Sequence, residues 1–87
     1  MELEEETAQL MFTLARSKGN WGRKYDRLEH FKKFLNLKQI IKKLSKKGWM
    51  LIYNKPKYTG ISLNSKYKKE ILDFIEKQLP YARKVIK

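Results

Sequence analysis

The run NLKQIIKKLSKKGW, from Asn36 to Trp49, constrains this chain more than any other stretch. Leu37, Ile40, Ile41 and Leu44 recur at i, i+3, i+4 and i+7, the spacing of one buried helix face. Lys38, Gln39, Lys42, Lys43 and Lys46 fall between them and, at about 100° per residue, gather on the opposite face. Gly48 stands where a helix-stopping glycine belongs. Trp49 to Tyr53 then reads as a strand. The chain must bury one side of this helix and present a row of cations from the other.

Charge is segregated along the sequence. Between Phe31 and Lys69 there are twelve lysines and no Asp or Glu. Outside that segment nine Lys and Arg meet nine Asp and Glu, so the whole net charge of +12 lies in one central stretch. Uniform basicity would indicate a solvated surface; segregated basicity indicates a face for a polyanion. With 87 residues the chain makes one small domain, residues 1–87, with little surplus for a deep ligand cavity. It has no cysteine, which excludes disulfides and thiolate metal sites. No stretch approaches the roughly 18 apolar residues of a membrane span. The acidic start MELEEE is the reverse of a secretory leader. These features lead us to expect a cytoplasmic, nucleoid-associated protein without membrane contact.

Taken in order, residues 3–18 read as a first helix, with Leu10, Met11 and Leu14 on its buried face and Gly19 as its stop. Its early glutamates suit the positive end of a helix dipole. Phe12 lies off the main face, which suggests a second packing surface. Asn20 to Lys24 is a short strand or a loop, with Trp21 packed on the core or on the later hairpin. Tyr25 to Phe34 reads as a second helix, with Asp26 as N-cap, Glu29 three residues on, and Leu28, Phe31 and Phe34 or Leu35 facing inward. Asn36 is a reasonable cap for the helix that follows. After Trp49–Tyr53, the segment Asn54 to Gly60 carries Pro56 and Gly60 and reads as a turn-bearing loop to a strand at Ile61–Leu63. Asn64 or Ser65 caps a last helix, Lys66 to Leu79, with Tyr67, Ile71, Phe74 and Ile75 as its apolar stripe and Pro80 as its end. Residues 80–87 form a C-terminal extension whose Val85 and Ile86 suit packing on a partner chain.

The stretches LKQIIKKLSKKGWMLIYN, KPKYTG and ISLNSKYKKEIL together resemble the winged helix-turn-helix domains of small MarR-like bacterial and archaeal regulators. The likeness covers about Thr7 to Leu79. It implies an α+β fold with a three-helix core, a β-hairpin wing and a final helix. It implies that helix 36–47 docks in a DNA major groove while wing 54–60 reaches backbone or minor groove. Here the wing has only lysines and Tyr58 where MarR-like wings carry an acid–arginine pair. The chain is also short for the extra dimerisation helices of those proteins. Both departures speak against a small-molecule-sensing pocket.

The residues themselves support the same role. Gln39 suits adenine, and Lys38, Lys42 or Lys43 can reach guanine O6 and N7. Lys46, Lys55, Lys57 and Tyr58 are further contacts, with Arg27, Lys32 and Tyr25 as phosphate candidates. Lysine lacks the bidentate fork of arginine, so the face favours phosphate attraction over sequence discrimination. We expect a homodimeric transcriptional regulator on double-stranded DNA, paired through its first and last helices. The alternatives are a low-specificity accessory factor for replication, partition or chromatin, and a winged-helix module that binds RNA or protein. No catalytic site, cofactor, metal or small-molecule substrate is expected: there is no glycine-rich phosphate loop, zinc-ligand spacing or nucleophile–base pair. His30 is the only histidine, and Glu70, Asp73 and Glu76 read as a solvated helix face.

Overall fold

Three α-helices and a three-stranded antiparallel sheet form a small α+β domain among the described residues, 3–16, 21–22 and 24–81 of the computed structural model. The helices are α1 (Leu3–Arg16), α2 (Leu37–Lys47) and α3 (Lys68–Gln78). The strands are β1 (Asp26–Arg27), β2 (Met50–Asn54) and β3 (Thr59–Leu63), in the order β1-β3-β2. α1 packs on α3 and on β3, and α2 packs on β2. The core between them is formed by Leu10, Met11, Leu14, Ile40, Leu44, Ile61, Leu63, Ile71 and Ile75. No helix among the described residues is long and apolar enough to cross a membrane.

α2 ends as its sequence requires. Gly48 sits at φ +79°, its N–H donates to the Ser45 carbonyl, and the Trp49 N–H reaches the Leu44 carbonyl, the paired bonds of a Schellman motif. The start of α3 is tied to the same place. Asn64 accepts from the Lys66 N–H through Oδ1 at 3.0 Å and donates from Nδ2 to the Gly48 carbonyl at 2.8 Å. One side chain thus caps the 3-10 turn Ser65–Tyr67 that leads into α3 and anchors the end of α2.

The segment 25–34 differs from the expected helix. It holds β1 and a single 3-10 turn, Leu28–Phe31. The cause is long-range: Asp26 pairs with Ile61 and Arg27 with Gly60, so the backbone groups a helix would use belong to the sheet. The four-helix arrangement therefore becomes three α-helices with one tight turn in place of the second. The residue at the cap position of that turn is Arg27 rather than Asp26, whose carboxylate lies 4.0 Å from His30. Glu29 pairs instead with Arg27, at 3.4 Å. Leu35, one of the two candidates for the buried face, is 94% exposed, and Phe34 takes the inward position.

The loop between β2 and β3 is also shorter than the sequence suggested. Asn54, Thr59 and Gly60 belong to strands, leaving a tip of Lys55, Pro56, Lys57 and Tyr58 closed by the Lys55 N–H on the Tyr58 carbonyl. Gly60 is needed by the sheet rather than by a turn. The Tyr25 ring lies over it, and a Cβ there would meet that ring 2.9 Å from Cε1 and 3.0 Å from Cγ. On the central strand, the buried Ser62 hydroxyl accepts from the Gly22 N–H at 2.8 Å, so the buried polar side chain of β3 is satisfied by the turn carrying Trp21. The expected end of the first helix at 17–19 and the apolar residues Val85 and Ile86 lie outside the described residues.

Candidate nucleic-acid interface

The lysine face of α2 is real surface. Lys38, Gln39, Lys42 and Lys46 are exposed, while Lys43 is half-buried. Lys38, Lys42 and Lys46 are spaced i, i+4, i+8 and form one row along the helix. Gln39 and Lys43 lie to the side of that row. The apolar stripe on the other side divides in two. Ile40 and Leu44 are fully buried, whereas Leu37 and Ile41 are only half-buried. The 3-10 turn Leu28–Phe31, standing where a helix over 25–34 was expected, lies beside that half-buried flank.

The result is a groove of about 590 Å³ between the N-terminal half of α2, the 3-10 turn and the hairpin tip. Leu28, Leu37, Ile41, Tyr58 and Thr59 form its half-buried floor; Lys32, Lys38, Lys42, Lys57 and Glu29 stand exposed on its rim. Five of the eleven predicted contact residues therefore meet at one feature: Lys32, Lys38, Lys42, Lys57 and Tyr58. Arg27 joins them through Tyr58, its guanidinium 4.5 Å from the centre of that ring. Gln39 lines a neighbouring depression with Lys32, Leu35 and Lys38. Lys43, Lys46 and Lys55 line neither.

Tyr58 is held in place by other aromatics. Its ring stacks on Tyr25 at 6.0 Å, Tyr25 leans on Tyr53 at 5.2 Å, and the Tyr25 and Tyr58 hydroxyls are 2.7 Å apart. That hydrogen bond, aided by desolvation and by the neighbouring Tyr25 charge, raises the Tyr58 pKa above the ordinary tyrosine value; Arg27 and Lys55 oppose the shift. The hairpin tip is thus tied through the Tyr58 ring to Tyr25, just before β1, and through Tyr25 to Tyr53 on β2.

Within the acid-free segment several cations rest on rings. Lys47 lies 4.7 Å from the Trp49 ring centre, Lys68 lies 5.6 Å from that of Trp21, and Lys66 lies 5.9 Å from that of Tyr67. Acids are concentrated on α1 and α3, which pack on each other, while α2 and the hairpin carry lysines only. No group of three or more His, Cys, Asp or Glu able to hold a metal ion occurs among the described residues.

Sequence reasoning missed two parts of this site. The first is the groove floor, because Leu37 and Ile41 were assigned wholly to the core. The second is Glu6, a buried acid whose carboxylate accepts the Asn36 N–H at 2.8 Å and so caps α2; the Asn36 side chain makes no cap bond. A signal was present: Glu6, Leu10 and Leu14 are spaced i, i+4, i+8, which puts the acid on the apolar face. Compared with family models, curated proteins and solved structures, the chain matches none.

Proposed function

We propose that this chain is a double-stranded DNA-binding protein of the winged-helix type. In this reading α2 enters the major groove, and the Lys55–Tyr58 tip reaches backbone or minor groove. The observation that carries it is the row Lys38, Lys42 and Lys46 on an exposed helix face, beside a hairpin tip with two further lysines and no acid. At 1.5 Å per residue an 11-residue helix is about 16 Å long, and its width suits a major groove. The order of α1, short strand, helical turn, α2 and hairpin is compatible with the winged-helix reading. The chain acts by binding, not as an enzyme.

A homodimeric regulator is the form we favour, with two copies of α2 reaching half-sites about one DNA turn apart. The off-face residue Phe12, which suggested a second packing surface, meets Tyr81 of its own chain, edge to face at 5.8 Å. Dimer contacts are therefore sought on α3 and the C-terminal extension. A low-specificity accessory role is the second reading, and the absence of arginine from the α2 face favours it, since lysine discriminates bases poorly.

Equilibrium binding to random and to selected duplexes, at several salt concentrations, tests both readings. If about six phosphates are neutralised, the log–log salt slope is on the order of −5. Equal affinity for all duplexes would remove the regulator and leave the accessory factor. Unchanged affinity after joint replacement of Lys42 and Lys43 by glutamate would remove docking by α2.

A further inference from the structure

The groove beside α2 holds more than a phosphate-binding face requires. Leu28, Leu37 and Ile41 on its floor offer nothing to phosphate oxygens, which lose hydration against apolar surface and find no donor there. Its rim nevertheless carries Lys38, Lys42 and Lys57. The single acid on that rim, Glu29, is paired with Arg27 at 3.4 Å. Apolar floor and cationic rim together match a ligand that is acidic and apolar at once.

We propose that this groove docks an acidic protein segment bearing apolar anchor residues, and that such a segment and duplex DNA exclude each other. Charge complementarity selects the acidity, since eight of the ten residues lining the groove lie in the acid-free segment, four of them lysines, and its one acid, Glu29, is paired with Arg27. The floor selects the anchors, because half-buried leucine and isoleucine gain most from a partner that completes their burial. The openness of the groove selects a chain segment over a small molecule, whose site would enclose most of its surface. An amphipathic segment laid along a helix-lined groove is a common recognition mode. The exclusion follows from shared residues, as Lys38, Lys42 and Lys57 serve both partners. Only the exclusion rests on the duplex-binding reading; the docking stands without it.

The test uses the full chain and a fluorescein-labelled peptide of about ten residues that alternates glutamate with leucine and phenylalanine. A control peptide of equal charge has alanine at every apolar position. Fluorescence anisotropy is expected to show the apolar peptide binding at least tenfold more tightly than the control. Ile41→Thr, which alters the floor, and Lys57→Glu, which alters the exposed rim, are each expected to weaken it several-fold. Circular dichroism checks that each variant is folded, and the exposed position of Lys57 keeps the test valid if Ile41→Thr unfolds. Equal binding of the two peptides, or tight binding indifferent to Lys57→Glu, overturns the docking. Sedimentation showing self-association that Lys57→Glu abolishes overturns it in favour of a second copy as occupant. An unlabelled duplex is expected to displace the peptide. A duplex that binds without displacing it overturns the exclusion. A duplex that fails to bind at all, while the peptide binds, sinks the exclusion and the duplex-binding reading together and leaves the docking supported.

Discussion

The carboxylate of Glu6 accepts a hydrogen bond from the backbone N–H of Asn36 at 2.8 Å, so that α1 supplies the cap for α2. The acid is 4% exposed and lies at the positive end of the helix that carries the lysine row. The N–H groups at a helix start have no partner within the helix, and a buried charged acceptor is the strongest kind of replacement. Glu6→Ala is expected to destabilise the domain by about 1.5–3 kcal/mol. Glu6→Gln keeps a carbonyl acceptor and should lose less than the alanine variant. Urea denaturation of the three proteins checks the order.

The Tyr25 ring over Gly60 gives a second prediction. Gly60→Ala displaces the ring from the sheet, and the stacking lost with it is on the order of 0.5–1.5 kcal/mol. The displacement also breaks the Tyr25–Tyr58 hydrogen bond, the main cause of the raised Tyr58 pKa. Tyr58 in the native protein should therefore titrate above ordinary tyrosine, and in Gly60→Ala or Tyr25→Phe it should titrate lower, as NMR of the ring signals will report. Because folding raises this pKa, the stabilisation is fully present below the ordinary tyrosine pKa. It is lost as pH rises through the folded value.

Asn64 joins two helix ends with one side chain. Asn64→Ala removes the acceptor for the Lys66 N–H and the donor to the Gly48 carbonyl, and a loss of about 1–2 kcal/mol is expected. Asn64→Asp retains the acceptor but not the donor and should fall between wild type and alanine. Thermal melts of the three proteins provide the comparison. Preservation of stability in Asn64→Ala would show that neither bond matters in solution.

Individual lysines should differ in their effect on duplex binding. Lys42→Ala and Lys57→Ala, both on the groove rim, are each expected to reduce the salt slope by about 0.9. Lys43→Ala should do less, because Lys43 is half-buried and off the groove. Lys77→Ala on α3 should leave the slope unchanged. Salt titrations of the four variants against one duplex supply the test, and an equal loss from Lys77→Ala would point to diffuse attraction rather than a docked face.

Wherever structure depends on near neighbours, it was legible in the sequence. The spacing of Leu37, Ile40, Ile41 and Leu44 made α2 readable to within a residue, and Gly48 closed it through bonds to Leu44 and Ser45. Asn64 capped the next helical segment as its residue type predicts. The hairpin followed from two strand-forming runs around Pro56. The segment 25–34 went the other way because its backbone partners, Gly60 and Ile61, lie far along the chain. Helical periodicity cannot register a partner that only folding brings near. The same holds for Glu6, whose acceptor role exists only once α1 lies beside the start of α2. It holds also for Leu37 and Ile41, whose spacing marks them as apolar-face residues but cannot say whether core or groove receives them. Sequence alone thus determined the lysine row and the helix that carries it. Tertiary packing decided which lysines share a groove, because that depends on contacts between distant segments.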